Sequence, residues 1–305
     1  MASIFSLSYI IGPFYIIAAL YYLIRYHDLH SLYFALPFLI SAITPPVKIP
    51  TIVYSDIFGY MKDYFSYEEI FEISDNDLIK RLAEFKAVGR SIIFTGQPHG
   101  VLSYGGLCAG ANMDKRLTGI VTAVAGAVLM TPVIKHVVGV FGLIDASAKS
   151  LKKQLAKGGV EGSIVLYTGG IAELFKCSET EEKLFLLQRK GFIKLALREG
   201  ADIVPMYFFG NTTVLTIPKV PFLETISRAM QMSITIFWGR WGLPIPRPHK
   251  VLYVRGKPLG LPRIANPTDE QVTEWHTKYC KEVQRIFDTY KHKVPQFEDK
   301  KLVIE

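Results

Sequence analysis

Apolar positions are not spread evenly along this chain. Residues 1–24 hold no Asp, Glu, Lys, Arg or His, and nineteen of those 24 are apolar. A polar cluster follows at Arg25, His27, Asp28 and His30, and residues 31–47 are again free of charge but broken by Pro37, Pro45 and Pro46. A helix that spans a bilayer needs about 20 apolar residues, so the first run is long enough and the second is borderline. Two apolar runs joined by a short polar turn predict a membrane-embedded helical hairpin over residues 1–47 with both ends on one side. Tyr21, Tyr22, Tyr26 and Tyr33 flank the turn as an interfacial aromatic belt would. A cleaved signal peptide fits less well, because there is no basic leading segment and a second apolar run follows.

From residue 48 the pattern changes to alternating short apolar runs and helical spacings. Ser55–Glu72 is rich in aromatics and reads as an interfacial helix or as the packing seam between hairpin and domain. Ser74 and Asp77 resemble a capping box that opens a helix to about Val88. Ser91–Thr95, residues 119–124, Ser163–Thr168, Ile203–Phe209 and Lys250–Arg255 read as buried strands. Lys149–Lys157, Gly191–Glu199 and Phe222–Met230 read as helices, and Thr268 with Gln271 caps a long one reaching about Tyr290. Strands alternating with helices predict an α/β domain over residues 48–305, a mostly parallel sheet flanked by helices on both faces.

Composition adds two constraints. Half of the 305 residues are apolar and 20% are charged, which excludes a disordered chain. The net charge is +8, while residues 1–47 carry one Arg and one Asp, so all of the excess lies on residues 48–305. A basic excess favours anionic partners such as a lipid surface or a phosphorylated substrate. The basic residues are dispersed and no recognition motif accompanies them, so nucleic acid is not expected. Cys108, Cys177 and Cys280 form neither a disulfide framework nor a zinc pattern.

The chemistry concentrates at Ile92–Gly100, a strand followed by a turn in which Pro98 and Gly100 bracket His99. Such a turn presents a side chain into the crevice where open α/β sheets bind ligands, and an imidazole there suits proton transfer near neutral pH. There is no GxSxG elbow, phosphate loop, HExxH or GxGxxG. The glycine-rich run Gly105–Gly110 lacks the Lys and Ser or Thr of a phosphate loop and reads as close packing of a helix behind the turn. His27 and His30 have only Asp28 nearby, and Asn211-Thr212-Thr213 is a formal glycosylation sequon that a cytosolic domain leaves unused.

Several blocks together resemble the diacylglycerol acyltransferase type 2 family, which includes monoacylglycerol and wax-alcohol acyltransferases. They are Tyr64-Phe65-Ser66, Gln97-Pro98-His99-Gly100, Gly169-Gly170-Ile171-Ala172-Glu173, and Arg189–Gly200 followed by Val204-Pro205 and Phe209-Gly210-Asn211, in that order behind a hydrophobic hairpin. The likeness departs at Gln97, where the family signature has a first histidine; His99 matches the second. In the wider glycerolipid acyltransferase superfamily the pattern is His-x4-Asp, and here the fifth residue after His99 is Tyr104.

The resemblance implies a glycerolipid acyltransferase-like domain that transfers a fatty acyl group from acyl-CoA to the hydroxyl of diacylglycerol. The acceptor alternatives are monoacylglycerol and a long-chain alcohol; the third reading is a lipid-binding pseudoenzyme that Gln97 has silenced. His99 is expected as general base, with Glu173 orienting the imidazole and no acyl-enzyme. Gln97, Pro98, Gly100, Gly169 and Gly170 are expected around the substrate, with Arg189, Lys190, Lys194 and Arg198 on the CoA phosphates. No metal and no cofactor besides the acyl-CoA co-substrate is implied. The expected location is the endoplasmic reticulum membrane or lipid droplets, with the domain facing the cytosol; oligomeric state is left open.

Overall fold

The computed structural model describes residues 2–170, 173, 180–218 and 236–305. The expected helix Phe222–Met230 and Cys177 lie outside the described residues. The chain opens with α1 (Ala2–Tyr26) and α2 (Leu29–Ile43), and Asp28 caps α2 by accepting from the Ser31 N–H. The two helices pack together through Tyr15, whose hydroxyl donates to the Phe34 carbonyl at 2.7 Å and whose ring meets that of Phe34 edge-on. The window Tyr9–Tyr26 of α1 is long and apolar enough to cross a membrane; α2, at 15 residues, is shorter than a span requires.

Short helices α3 (Pro50–Val53) and α4 (Asp56–Tyr64) lead into β1 (Glu68–Phe71). The aromatic seam is thus half helix and half edge strand, and β1 was not expected there. Helix α5 (Asp75–Ala87) starts at Ser74, whose side chain accepts from the Asp77 N–H. Next come β2 (Ile92–Gln97), α6 (Tyr104–Asn112), β3 (Val121–Val124), α7 (Gly126–Met130), α8 (Ile134–Gly139), β4 (Leu143–Asp145), α9 (Ala148–Leu155), α10 (Gly159–Gly162) and β5 (Ile164–Tyr167). The last described elements are β6 (Glu181–Leu184), α11 (Gly191–Glu199), β7 (Asp202–Phe209), β8 (Leu252–Arg255), α12 (Asp269–Tyr290) and β9 (Lys301–Ile304). Thr268 and Gln271 form the expected capping box of α12, each satisfying a main-chain N–H of the other.

Seven strands form one sheet in the order β1-β8-β7-β2-β5-β3-β4, all ladders parallel except β7–β8. The mostly parallel sheet flanked by helices is therefore as expected, with one antiparallel ladder. A parallel ladder is stable only when both faces are covered, and period-two alternation shows how this is met. Ile93, Ile203, Tyr207, Phe209 and Val254 pack on one face with α11 and α12 residues Ile193, Leu197, Tyr279 and Ile286. Ile92, Phe94, Val204, Met206, Phe208 and Tyr253 pack on the other with Leu78, Leu82 and Phe85 of α5. All eight residues of β7 are buried, which is why that run reads as continuous rather than alternating hydrophobicity.

From β2 the chain builds β3, β4 and β5 on one side, then places β7 and β8 on the other. The topology reverses beside β2, and open α/β sheets bind ligands at the carboxyl ends of strands next to such a reversal. A second, two-stranded sheet joins β6 to β9.

Candidate functional site

The turn after β2 is shaped by three residues. The Gln97–Pro98 bond is cis, and Gly100 has φ +64°. A Cβ at Gly100 would lie 2.5 Å from the Asn211 carbonyl oxygen, so both conformation and space demand glycine. Asn211, two residues beyond β7, clamps the turn. Its Nδ2 donates to the carbonyls of Pro98 at 3.0 Å and His99 at 2.7 Å, and its Oδ1 accepts from the Gly105 N–H at 3.0 Å.

The clamp fixes the ring of His99. Its Nδ1 lies 2.8 Å from the Gly100 carbonyl oxygen. A carbonyl only accepts, so Nδ1 carries the proton and the neutral ring keeps its basic lone pair on Nε2. His99 lines a cavity of about 1390 Å³ with mostly apolar walls. Desolvation in this setting lowers the imidazole pKa below its usual 6.5, against the smaller opposing effect of the Gly100 carbonyl. The ring is thus neutral and basic at pH 7. Tyr167, at the end of β5, meets it edge-on with centroids 4.7 Å apart.

Glu173 is buried, and its carboxyl accepts from the main-chain N–H groups of His99 and Phe185. Burial pushes its pKa up to about 8, the two N–H groups acting in the opposite direction. The expectation placed Glu173 on the imidazole; the structure brings it to the main chain of the same turn, while the Gly100 carbonyl selects the tautomer. The Gly-Gly-x-x-Glu spacing also has a steric reason. A Cβ at Gly169 would sit 1.7 Å from Glu173 Oε1, so glycine there makes room for the carboxyl, and Gly170 has φ +63° and lines the cavity.

The other expected residues separate into two groups. Gln97 is fully buried and its Oε1 accepts from the Tyr279 hydroxyl of α12 at 2.8 Å; neither it nor Pro98 nor Gly100 lines the cavity. Arg189, Lys194 and Arg198 are exposed on or beside α11, outside the cavity walls. Lys190 donates to Thr273 at 3.0 Å and Lys194 lies 3.6 Å from Asp269, whereas the charge of Arg189 reaches Glu173.

The sequence placed Asn211 in a family block and in a sequon without giving it a role, and it carried no signal for Tyr167 and Ser103, which have no motif. It also missed that Tyr9, Ile10, Pro13, Phe14, Ile16 and Ile17 of α1 line the same cavity as His99. Tyr104, at the place of the missing carboxylate, turns toward α1: its hydroxyl bonds to the Ser6 hydroxyl and donates to the Ala2 carbonyl at 3.0 Å.

The structure thus places a neutral imidazole at the carboxyl edge of a mostly parallel sheet, on the wall of a large, mainly apolar cavity. The diacylglycerol acyltransferase family model matches residues 57–305, and the chain belongs to that family. It is 32% identical over 226 residues to human diacylglycerol O-acyltransferase 2-like protein 6, covering 65% of this chain and 66% of that protein. Diacylglycerol O-acyltransferase 2 of Dictyostelium discoideum is 32% identical over 257 residues, 78% of this chain and 74% of the relative. The human diacylglycerol O-acyltransferase 2 is 29% identical over 260 residues, 78% and 63%. The chain thus spans about two thirds of the length of the human relatives. The acyltransferase PlsC of Thermotoga maritima superposes with a TM-score of 0.39 at 10% identity, over 87% of this chain and 95% of that one, too loosely to carry an argument.

Proposed function

We propose that the protein is an acyl-CoA-dependent O-acyltransferase that esterifies the free hydroxyl of diacylglycerol, giving triacylglycerol. The observation that carries this reading is His99: its Nδ1 proton is engaged by the Gly100 carbonyl, and its ring lines a large apolar cavity. His99 Nε2 takes the hydroxyl proton as the acceptor oxygen attacks the thioester carbonyl carbon. The tetrahedral intermediate collapses, the C–S bond breaks, and the imidazolium returns its proton to the CoA thiolate. Such proton transfer is worth about 10²–10⁴-fold in rate. No acyl-enzyme is needed. Glu173 and Asn211 act as positioning residues by holding the main chain of the turn, and Gly169 and Gly170 leave space for the carboxyl and the cavity wall.

The acyl chain and the acceptor occupy the apolar cavity. The CoA phosphates lie outside it, at Arg189, whose charge already reaches Glu173, and at Lys190, Lys194 and Arg198 behind it. Helix α1 embeds in the membrane of the endoplasmic reticulum or the surface of a lipid droplet, and residues 48–305, which carry the net charge of +8, face the cytosol. Gln97 does not argue for a silenced enzyme. It is buried behind the turn on Tyr279, so a side chain at that position shapes packing rather than the cavity.

Microsomes from a host lacking its own neutral-lipid acyltransferases test the reading. The protein should move labelled oleoyl groups from oleoyl-CoA to diacylglycerol, and His99→Ala should abolish the transfer. Unchanged activity in that variant overturns the base assignment. Transfer to monoacylglycerol or a long-chain alcohol with none to diacylglycerol replaces the acceptor but keeps the chemistry.

A further inference from the structure

Two hydroxyls share the cavity wall with His99. Ser103 is the residue before α6, a position where a serine side chain ordinarily accepts from the second or third helical N–H. Here it makes no such bond. The Gly105 N–H is taken by Asn211 instead, and the Ser103 Oγ lies 2.6 Å from the hydroxyl oxygen of Tyr167. Asn211 Nδ2 reaches the same Oγ at 3.4 Å, a third, long contact beside its two carbonyl partners. Gly106 makes the arrangement possible, since a Cβ there would fall 2.0 Å from the Tyr167 oxygen and 2.8 Å from the Ser103 oxygen. Ser103, Gly106, Tyr167 and His99 all line the cavity.

The hydrogen count of this pair matters. Two hydroxyls carry two protons, and their mutual bond uses one. Any contribution from Asn211 adds a donor to the pair and consumes none of its protons. One hydroxyl proton is left over, on a pair whose two residues both line the cavity and whose tyrosine ring meets His99 edge-on. Burial keeps the phenol protonated, its pKa pushed up to about 12, so the pair is a donor and not a base. We propose that the Ser103–Tyr167 hydroxyl pair is the oxyanion donor of this enzyme: its surplus proton bonds the thioester carbonyl oxygen as that oxygen becomes negative under attack. Nothing is transferred in this step. The hydrogen bond strengthens as charge develops on oxygen and relaxes when the C–S bond breaks and the ester carbonyl forms. A donor fixed before the reaction and aimed at developing charge acts on the transition state rather than on substrate binding.

The inference rests on the acyl-transfer reading above, and the test separates the two. The variants are Ser103→Ala, Tyr167→Phe and their double combination in the full-length protein, with oleoyl-CoA and diacylglycerol as substrates. Because either hydroxyl alone still holds a proton, each single variant should retain more activity than the double. The double should lose about 10²–10³-fold in kcat, the range for removal of an oxyanion donor, with KM for oleoyl-CoA changed less than about threefold by the logic of differential binding. The pKa that His99 imposes on the rate profile should stay in place. A double variant that keeps kcat, or that loses only in KM, overturns the oxyanion assignment and leaves the acyltransferase reading intact. Absence of transfer by the unmodified protein overturns both. Thermal unfolding of each variant distinguishes lost chemistry from lost fold, and Tyr167→Phe, which preserves the ring packing on His99, supplies a second readout. Its kcat must fall short of the wild-type value while its melting temperature does not.

Discussion

One carbonyl determines what His99 can do. The Gly100 oxygen holds the proton on Nδ1, and desolvation holds the ring neutral, so the basic nitrogen stays available down to a pH below the ordinary imidazole range. The sign of the pH dependence follows. A base with a depressed pKa is lost only as pH falls through that depressed value, which lies below 6.5. The rate of acyl transfer should therefore fall on the acid side with an apparent pKa below 6.5, measured as kcat/KM against pH. An acid limb centred above 6.5 would contradict the desolvated geometry. At this same scale, the sequence showed the histidine turn and the glycine pair but assigned Glu173 to the wrong part of His99. Spacing told that a carboxylate follows β5 by a few residues. It did not tell that the carboxyl meets a main-chain N–H, because that depends on how two loops from different strands approach each other.

At the scale of elements, α1 lines the cavity and is also long and apolar enough to cross a membrane. Its N-terminal end is tied to α6 through Ser6, Tyr104 and the Ala2 carbonyl, and Tyr9 to Ile17 supply one cavity wall. Several other apolar side chains of the helix are exposed, among them Ile11, Leu20, Tyr21 and Ile24. Leu20 lies outside the cavity lining, so Leu20→Arg probes the anchor without touching the site. A charge near the middle of a span costs about 2.5–3.5 kcal/mol of insertion free energy. This variant should shift protein from the carbonate-resistant membrane pellet to the soluble fraction, and an unchanged pellet would show that α1 is not the anchor. The strongly periodic helices α11 and α12 were legible with their boundaries, since a capping box and a left-handed Gly200 mark them in the chain itself. Strands β1, β4, β6 and β9 were not. Each is three or four residues long and carries a charged residue, Glu68, Asp145, Glu181 or Lys301, so no uncharged run such as β3 or β5 offers marks it, and each exists because a neighbour pairs with it.

At the scale of the whole molecule, the small β6–β9 sheet ties the C-terminal segment to the stretch that follows Glu173. Lys300 and Glu182 form its buried ion pair at 2.7 Å, with side chains 5% and 0% exposed, and Thr212 donates to the same carboxylate. Removing one partner of a buried pair strands the other charge and costs about 3–5 kcal/mol, whereas replacing both with apolar groups is often nearly neutral. Lys300→Met should lower the melting temperature markedly, and Lys300→Met with Glu182→Leu should restore much of the loss. Equal destabilisation by the single and double variants would show that the pair is not the tie. The strongly basic charge of residues 48–305 was plain from composition, yet which basic side chains remain unengaged emerged only once Lys48, Lys190, Lys194 and Lys300 were seen with partners.

By itself the sequence determined the properties that depend on neighbours along the chain. These are the apolar first helix, the alternation of strands and helices, the capped termini and a histidine braced by proline and glycine. Each is a local preference that a few consecutive residues can enforce. Tertiary structure decided what depends on residues far apart. It brought Asn211 to the turn at 98–100, Tyr167 to Ser103, Tyr279 to Gln97 and the wall of α1 to His99, across separations of 64 to 182 residues for the three hydrogen-bonded pairs. Such contacts leave no periodic trace, because the entropy of closing so long a loop is repaid by the packed sheet as a whole and not by the pair that meets.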